Sequence, residues 1–147
     1  MNSIPGRALA FPGSLIYNPI PSLITVNQNA DKDELRAEIK RTHFSRAAFL
    51  AKTFGLPEEE VRDFQLKALW QMSAVYRNAP GTKMLAEQYG LSKTELSEFL
   101  EKHAKEKRSQ GDDRPLEPCY DQSTGRYLSF EEWIGQLLKN WNKITIS

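Results

Sequence analysis

A mainly α-helical fold is predicted by three features of the sequence. Apolar residues recur at helical spacing in six separate stretches, two of which open with a Ser-x-x-Glu capping pattern. One eighteen-residue stretch returns in altered form 35 residues further along the chain. Strand-like apolar runs are few and short. These features predict a compact multi-helix domain over residues 30–147, an extended amino-terminal arm over residues 1–29 and one small β-hairpin. A chain of 147 residues is long enough to bury a core without disulfides or metals.

Residues 1–29 read as the arm because Pro5, Pro12, Pro19 and Pro21 interrupt them, while the runs "SLIY" and "SLITV" have the content of brief strands. The same prolines argue against a signal peptide or a membrane span. From Asp31, acidic residues precede basic ones and Leu35 and Ile39 share a face, which predicts a helix over 31–42. Ser45 can cap a second helix, over 45–54, that Gly55 ends. Pro57 and three glutamates open the longest predicted helix, over 57–78, with Val61, Phe64, Ala68, Met72 and Val75 as its stripe.

"NAPG" at 78–81 reads as a turn before a short helix over 82–89, closed by Gly90. Ser92 and Glu95 form a capping box at the start of a helix over 92–107, whose inward stripe is Leu96, Phe99, Leu100 and His103. The polar segment 108–118 reads as a loop, and Tyr120 and Tyr127 flank a hairpin turn. Ser129 and Glu132 cap a final helix over 129–141 that carries Phe130, Trp133, Ile134, Leu137, Leu138 and Trp141 on one face, either as core or as a partner-binding stripe.

Residues 50–67, "LAKTFGLPEEEVRDFQLK", align with 85–102, "LAEQYGLSKTELSEFLEK", at seven identical positions of eighteen. In each copy an alanine permits a close crossing, a glycine accepts positive φ and later aliphatic residues pack back. The pattern resembles the helix-turn-helix of DNA-binding proteins, carried by Ala86, Gly90, Leu91, Leu96 and Phe99, and again by Ala51, Gly55, Leu56, Val61 and Phe64. The resemblance covers about twenty residues in each copy. It implies that the second helix of the second copy enters the major groove of duplex DNA.

On that reading Lys93, Thr94 and Ser97 contact bases or phosphates, and Lys102 and Lys105, with Lys107 and Arg108, contact the backbone. Residues 36–52, with five basic residues and one acidic, add Arg41 and Arg46 as phosphate contacts, and Arg126 lies near the hairpin tip as the contact of a wing. The first copy, with four acidic and two basic residues over 57–67, reads as architecture. A net charge of +1 gives one copy of the chain little attraction for a polyanion, so a DNA-binding or DNA-associated regulatory protein would work as a dimer. The alternative is a helical protein-interaction module whose corners are structural and whose partner binds the helix at 129–141 or the arm.

No enzyme motif is present, and neither metal nor cofactor is expected. Cys119 is the only cysteine and excludes an intramolecular disulfide; it reads as an inert, buried or half-buried thiol in a reducing, cytoplasmic setting. His43 and His103 lie too far apart in sequence to suggest a zinc site with it. "DQSTG" lacks the leading aspartate of a calcium loop, since Tyr120 stands there.

Overall fold

The computed structural model describes the backbone of residues 21–144, and side-chain surroundings for residue 30 and residues 32–144. Among the described residues there are six α-helices and one two-stranded hairpin, and the chain divides into two units, Met1–Val61 and Arg62–Ser147.

In the first unit α1 (Pro21–Lys40) packs on α2 (Phe44–Thr53). Residues 21–29 are therefore helical where the sequence suggests an extended arm; "SLIY" and the rest of 1–20 lie outside the described residues. Pro21 stands at the first helical position, where its missing N–H costs nothing, and the β-branched residues of "SLITV" each cost only a few tenths of a kcal/mol against a helix already formed downstream. At 20 residues α1, not the run from residue 57, is the longest helix among those described.

The turn into α2 is a single tight link. Thr42 takes φ 59°, with His43 N–H donating to the Glu38 carbonyl at 2.9 Å and Thr42 N–H to that of Ile39 at 2.9 Å. The cap position of α2 is consequently His43 rather than Ser45, which falls inside the first turn. Among the described residues Leu35, Ala47, Ala48, Leu50, Ala51 and Val61 are the buried apolar ones of this unit.

Helix α3 (Glu58–Trp70) begins after Gly55 and Pro57, and the unit boundary falls within it. It passes into a π-helical turn, Gln71–Val75, so the predicted continuous helix over 57–78 is broken. The wider turn changes which side chains point inward. Leu69, Ser73 and Ala74 are buried, whereas Val75, on the predicted stripe, is 50% exposed. The Ser73 hydroxyl donates to the Leu69 carbonyl at 2.7 Å, so this buried oxygen is partnered.

The second unit continues with α4 (Ala79–Gln88), capped by the Asn78 side chain, which accepts from Gly81 N–H at 2.9 Å. "NAPG" is thus the opening of the helix. Next come α5 (Lys93–Ser109), a 3-10 turn (Arg114–Leu116) within the polar loop, strands β1 (Cys119–Asp121) and β2 (Arg126–Leu128), and α6 (Phe130–Lys139). The strands pair antiparallel with Tyr120 opposite Tyr127. On α6 the residues Phe130, Trp133, Ile134 and Leu137 are buried, and Trp70 meets the Phe130 ring edge-on at 5.3 Å. The apolar stripe of α6 is therefore core, with Leu138 and Trp141 half-exposed at its end.

Arg77 joins these parts. Its guanidinium donates to the carbonyls of Leu128 (3.3 Å), Pro115 (3.2 Å) and Glu117 (3.0 Å), and lies 5.3 Å over the Phe130 ring.

The two glycine corners agree bond for bond. Leu56 N–H donates to Ala51 at 3.0 Å and Gly55 N–H to Lys52 at 3.2 Å; Leu91 N–H donates to Ala86 at 2.8 Å and Gly90 N–H to Glu87 at 3.2 Å. Gly55 and Gly90 take φ of 76° and 75°. Both are Schellman ends, and Ala51 and Ala86 are fully buried.

Nothing lies within 4 Å of a Cβ built on either glycine, so only backbone strain opposes a side chain there. Gly55→Ala and Gly90→Ala should each lower stability by about 1–2 kcal/mol in urea denaturation. Arg77→Lys keeps the charge but loses the forked donor, and should cost about 2–4 kcal/mol in the same measurement; an unchanged midpoint would show that the three carbonyls do not need it.

Candidate nucleic-acid interface

Helix α5 is the element on which the sequence places a reading surface. Its capping box closes as the sequence predicts: Ser92 Oγ accepts from Glu95 N–H at 3.1 Å and the Glu95 carboxylate accepts from Ser92 N–H at 2.9 Å. Those bonds to Ser92 hold the Glu95 carboxyl below its usual range. Leu96, Leu100 and Ala104 face inward, with Phe99 and His103 half-buried beside them.

Opposite this stripe Thr94, Glu98, Glu101 and Lys105 follow at intervals of four, three and four residues and are exposed. Lys93 and Lys102 are also exposed, and Ser97 is half-buried. Among the described residues Lys93, Lys102 and Lys105 make no ion pair. Lys107 and Arg108 do. Lys107 reaches Asp112 at 3.3 Å, and Arg108 holds Glu131 through two hydrogen bonds, one of 2.8 Å, which links the end of α5 to the start of α6. That contact holds the Glu131 carboxyl below its usual range.

The other residues assigned to DNA lie elsewhere. Arg41 and Arg46 belong to the first unit, where Arg41 pairs with Glu38 at 3.3 Å and Arg46 with Glu34 at 3.4 Å while lying 5.6 Å over the Phe49 ring. Arg126 is exposed on β2 opposite Asp121. The hairpin enters α6 beside Glu131, at the Arg108 end of α5, about 22 Å along that helix from Lys93. The structure thus places Lys93, Thr94 and Ser97 in the first turns of α5 and Lys102 and Lys105 further along it, while Arg126 stands apart on β2.

In the first copy, Arg62 occupies the position equivalent to Ser97. It donates to the Tyr89 carbonyl and to Gln65, both at 3.1 Å, which is a structural use of an outward position. Sequence reasoning missed Arg62 and Arg77 as organisers because their partners are mostly backbone carbonyls distant in the chain.

Cys119 is exposed rather than buried, because it stands on a three-residue strand of a two-stranded hairpin with too few strands to cover it. Among the described residues no group of three His, Cys, Asp or Glu is gathered to hold a metal ion, and no helix is long and apolar enough to cross a membrane. Comparison with protein-family models, curated proteins and solved structures gives no match.

His103 sits between Trp70, edge-on at 4.5 Å, and Phe99, stacked at 5.4 Å. Burial lowers its pKa from the ordinary 6.5, Lys107 lowers it further, and Glu106 opposes both. The unfolded chain therefore binds this proton more readily than the folded one. The contribution to stability is full above pH 6.5 and is lost as pH falls through that value toward the lower folded pKa. Urea midpoints of the native chain should decline from pH 7.5 to 5.5, and His103→Phe should flatten that decline.

Proposed function

We propose that the chain is a DNA-binding accessory or regulatory protein that contacts duplex DNA through the α4–α5 corner. The observation that carries this reading is the exposed surface of α5, the second helix of a glycine-closed corner: Lys93 in its first turn and Lys102 and Lys105 further along make no ion pair among the described residues. Lys93 and Thr94 are the leading contacts, with Ser97 beside them, and Lys102 and Lys105 reach phosphates. Glu98 and Glu101 on the same face keep generic attraction low, so two copies acting together suit the net charge of +1.

A protein partner has separate support in Tyr120 and Tyr127, which are 57% and 68% exposed and meet at 5.5 Å on the hairpin. A surface of that kind suits contact with another protein.

The two readings part in a fluorescence-anisotropy titration against generic duplex DNA. Three phosphate contacts give a slope of about −3 in log affinity against log salt, and Lys93→Ala should bring it to about −2. No salt-dependent binding at tens of micromolar protein would reject the DNA reading in favour of the protein partner.

A further inference from the structure

The two glutamates in the middle of the α5 face are a cost to any generic DNA contact, and their placement suggests what offsets it. Glu98 and Glu101 are exposed and stand four residues before Lys102 and Lys105, a spacing suited to pairing along a helix. Yet among the described residues neither glutamate makes an ion pair. Each carboxylate therefore points outward as an acceptor without a cation, on the same stripe as Thr94 and Lys105.

In a major groove such an acceptor meets repulsion from phosphates and from the O4 of thymine. Cytosine is the base whose groove edge offers only a donor, its N4 amino group, and its partner guanine offers O6 and N7 to lysine. From Thr94 to Glu101 the helix rises about 10 Å, the length of about three base pairs. We infer that α5 reads a short C·G-containing step, with Glu98 and Glu101 accepting from cytosine N4 and the flanking lysines donating to guanine or phosphate. The inference rests on the DNA reading above. It adds that the acidic residues select sequence rather than merely weaken binding.

The test compares two duplexes of equal length, one of alternating G·C and one of alternating A·T pairs, titrated at physiological salt with the native chain and with the Glu98→Gln, Glu101→Gln double variant. The native chain should prefer the G·C duplex by about tenfold, and the variant should lose most of that preference while binding the A·T duplex as well or better. A native chain that binds both duplexes equally, or a variant that gains equally on both, would overturn the inference and leave the DNA reading standing. Binding to neither duplex by either protein would remove both. The substituted side chains are exposed, and circular dichroism checks that the helix is retained.

Discussion

The second unit depends on one guanidinium. The loop before the hairpin and the hairpin itself have few ladder hydrogen bonds, so the carbonyls of Pro115, Glu117 and Leu128 need donors from elsewhere. Arg77 supplies them from a fixed planar fork. To reach that position it takes φ 50°, a left-handed conformation that costs a residue with a side chain about 1–2 kcal/mol. The π-helical turn just before it delivers the chain at that angle, and Phe130 offers a ring face to the charge. Burial pushes the Arg77 pKa down, but a guanidinium so basic stays charged. Wide turn, strained arginine, loop, hairpin and the first residue of α6 therefore form one dependent series.

What the sequence disclosed was what local chemistry determines. Gly55 and Gly90 and the two Ser-x-x-Glu boxes are set within about five residues and are found where spacing places them. So are Phe130, Trp133, Ile134 and Leu137 of the α6 stripe and Thr94, Glu98 and Glu101 on the outer side of α5, whereas Ser97 is half-buried. The π turn was illegible because Met72 and Val75 keep helical spacing in the sequence, while Ser73 and Ala74, which are the buried residues, give little apolar signal. The start of α1 was hidden by proline and β-branched residues that favour extension only weakly. Arg77 and Arg108 could not be read at all, since Leu128 lies 51 residues from the first and Glu131 lies 23 residues from the second. For the candidate site, side-chain identities along α5 were readable, but the tie of Arg108 to Glu131, which removes that arginine from the exposed basic residues, was not.

The repeated corner separates backbone from surface. Shared residues at seven positions suffice to reproduce the hydrogen bonds of the turn, although Glu58 and Glu59 stand in one copy where Lys93 and Thr94 stand in the other. A glycine in the left-handed region, a buried alanine and aliphatic residues behind them define the bend. The outward residues are then free to be acidic, basic or, as with Arg62, tied to a neighbouring carbonyl.

The π turn between α3 and α4 also has a meaning in chain length. A helix that closes one turn with an extra residue is geometrically an α-helix carrying a single insertion, with everything beyond it rotated by about 100° relative to the uninterrupted course. Without that residue, Arg77 would leave the spiral facing a different side of the unit, and the hairpin would have no cation beneath it. The length of this segment, counted to the single residue, is thus as much a determinant of the unit as the identity of any side chain in it.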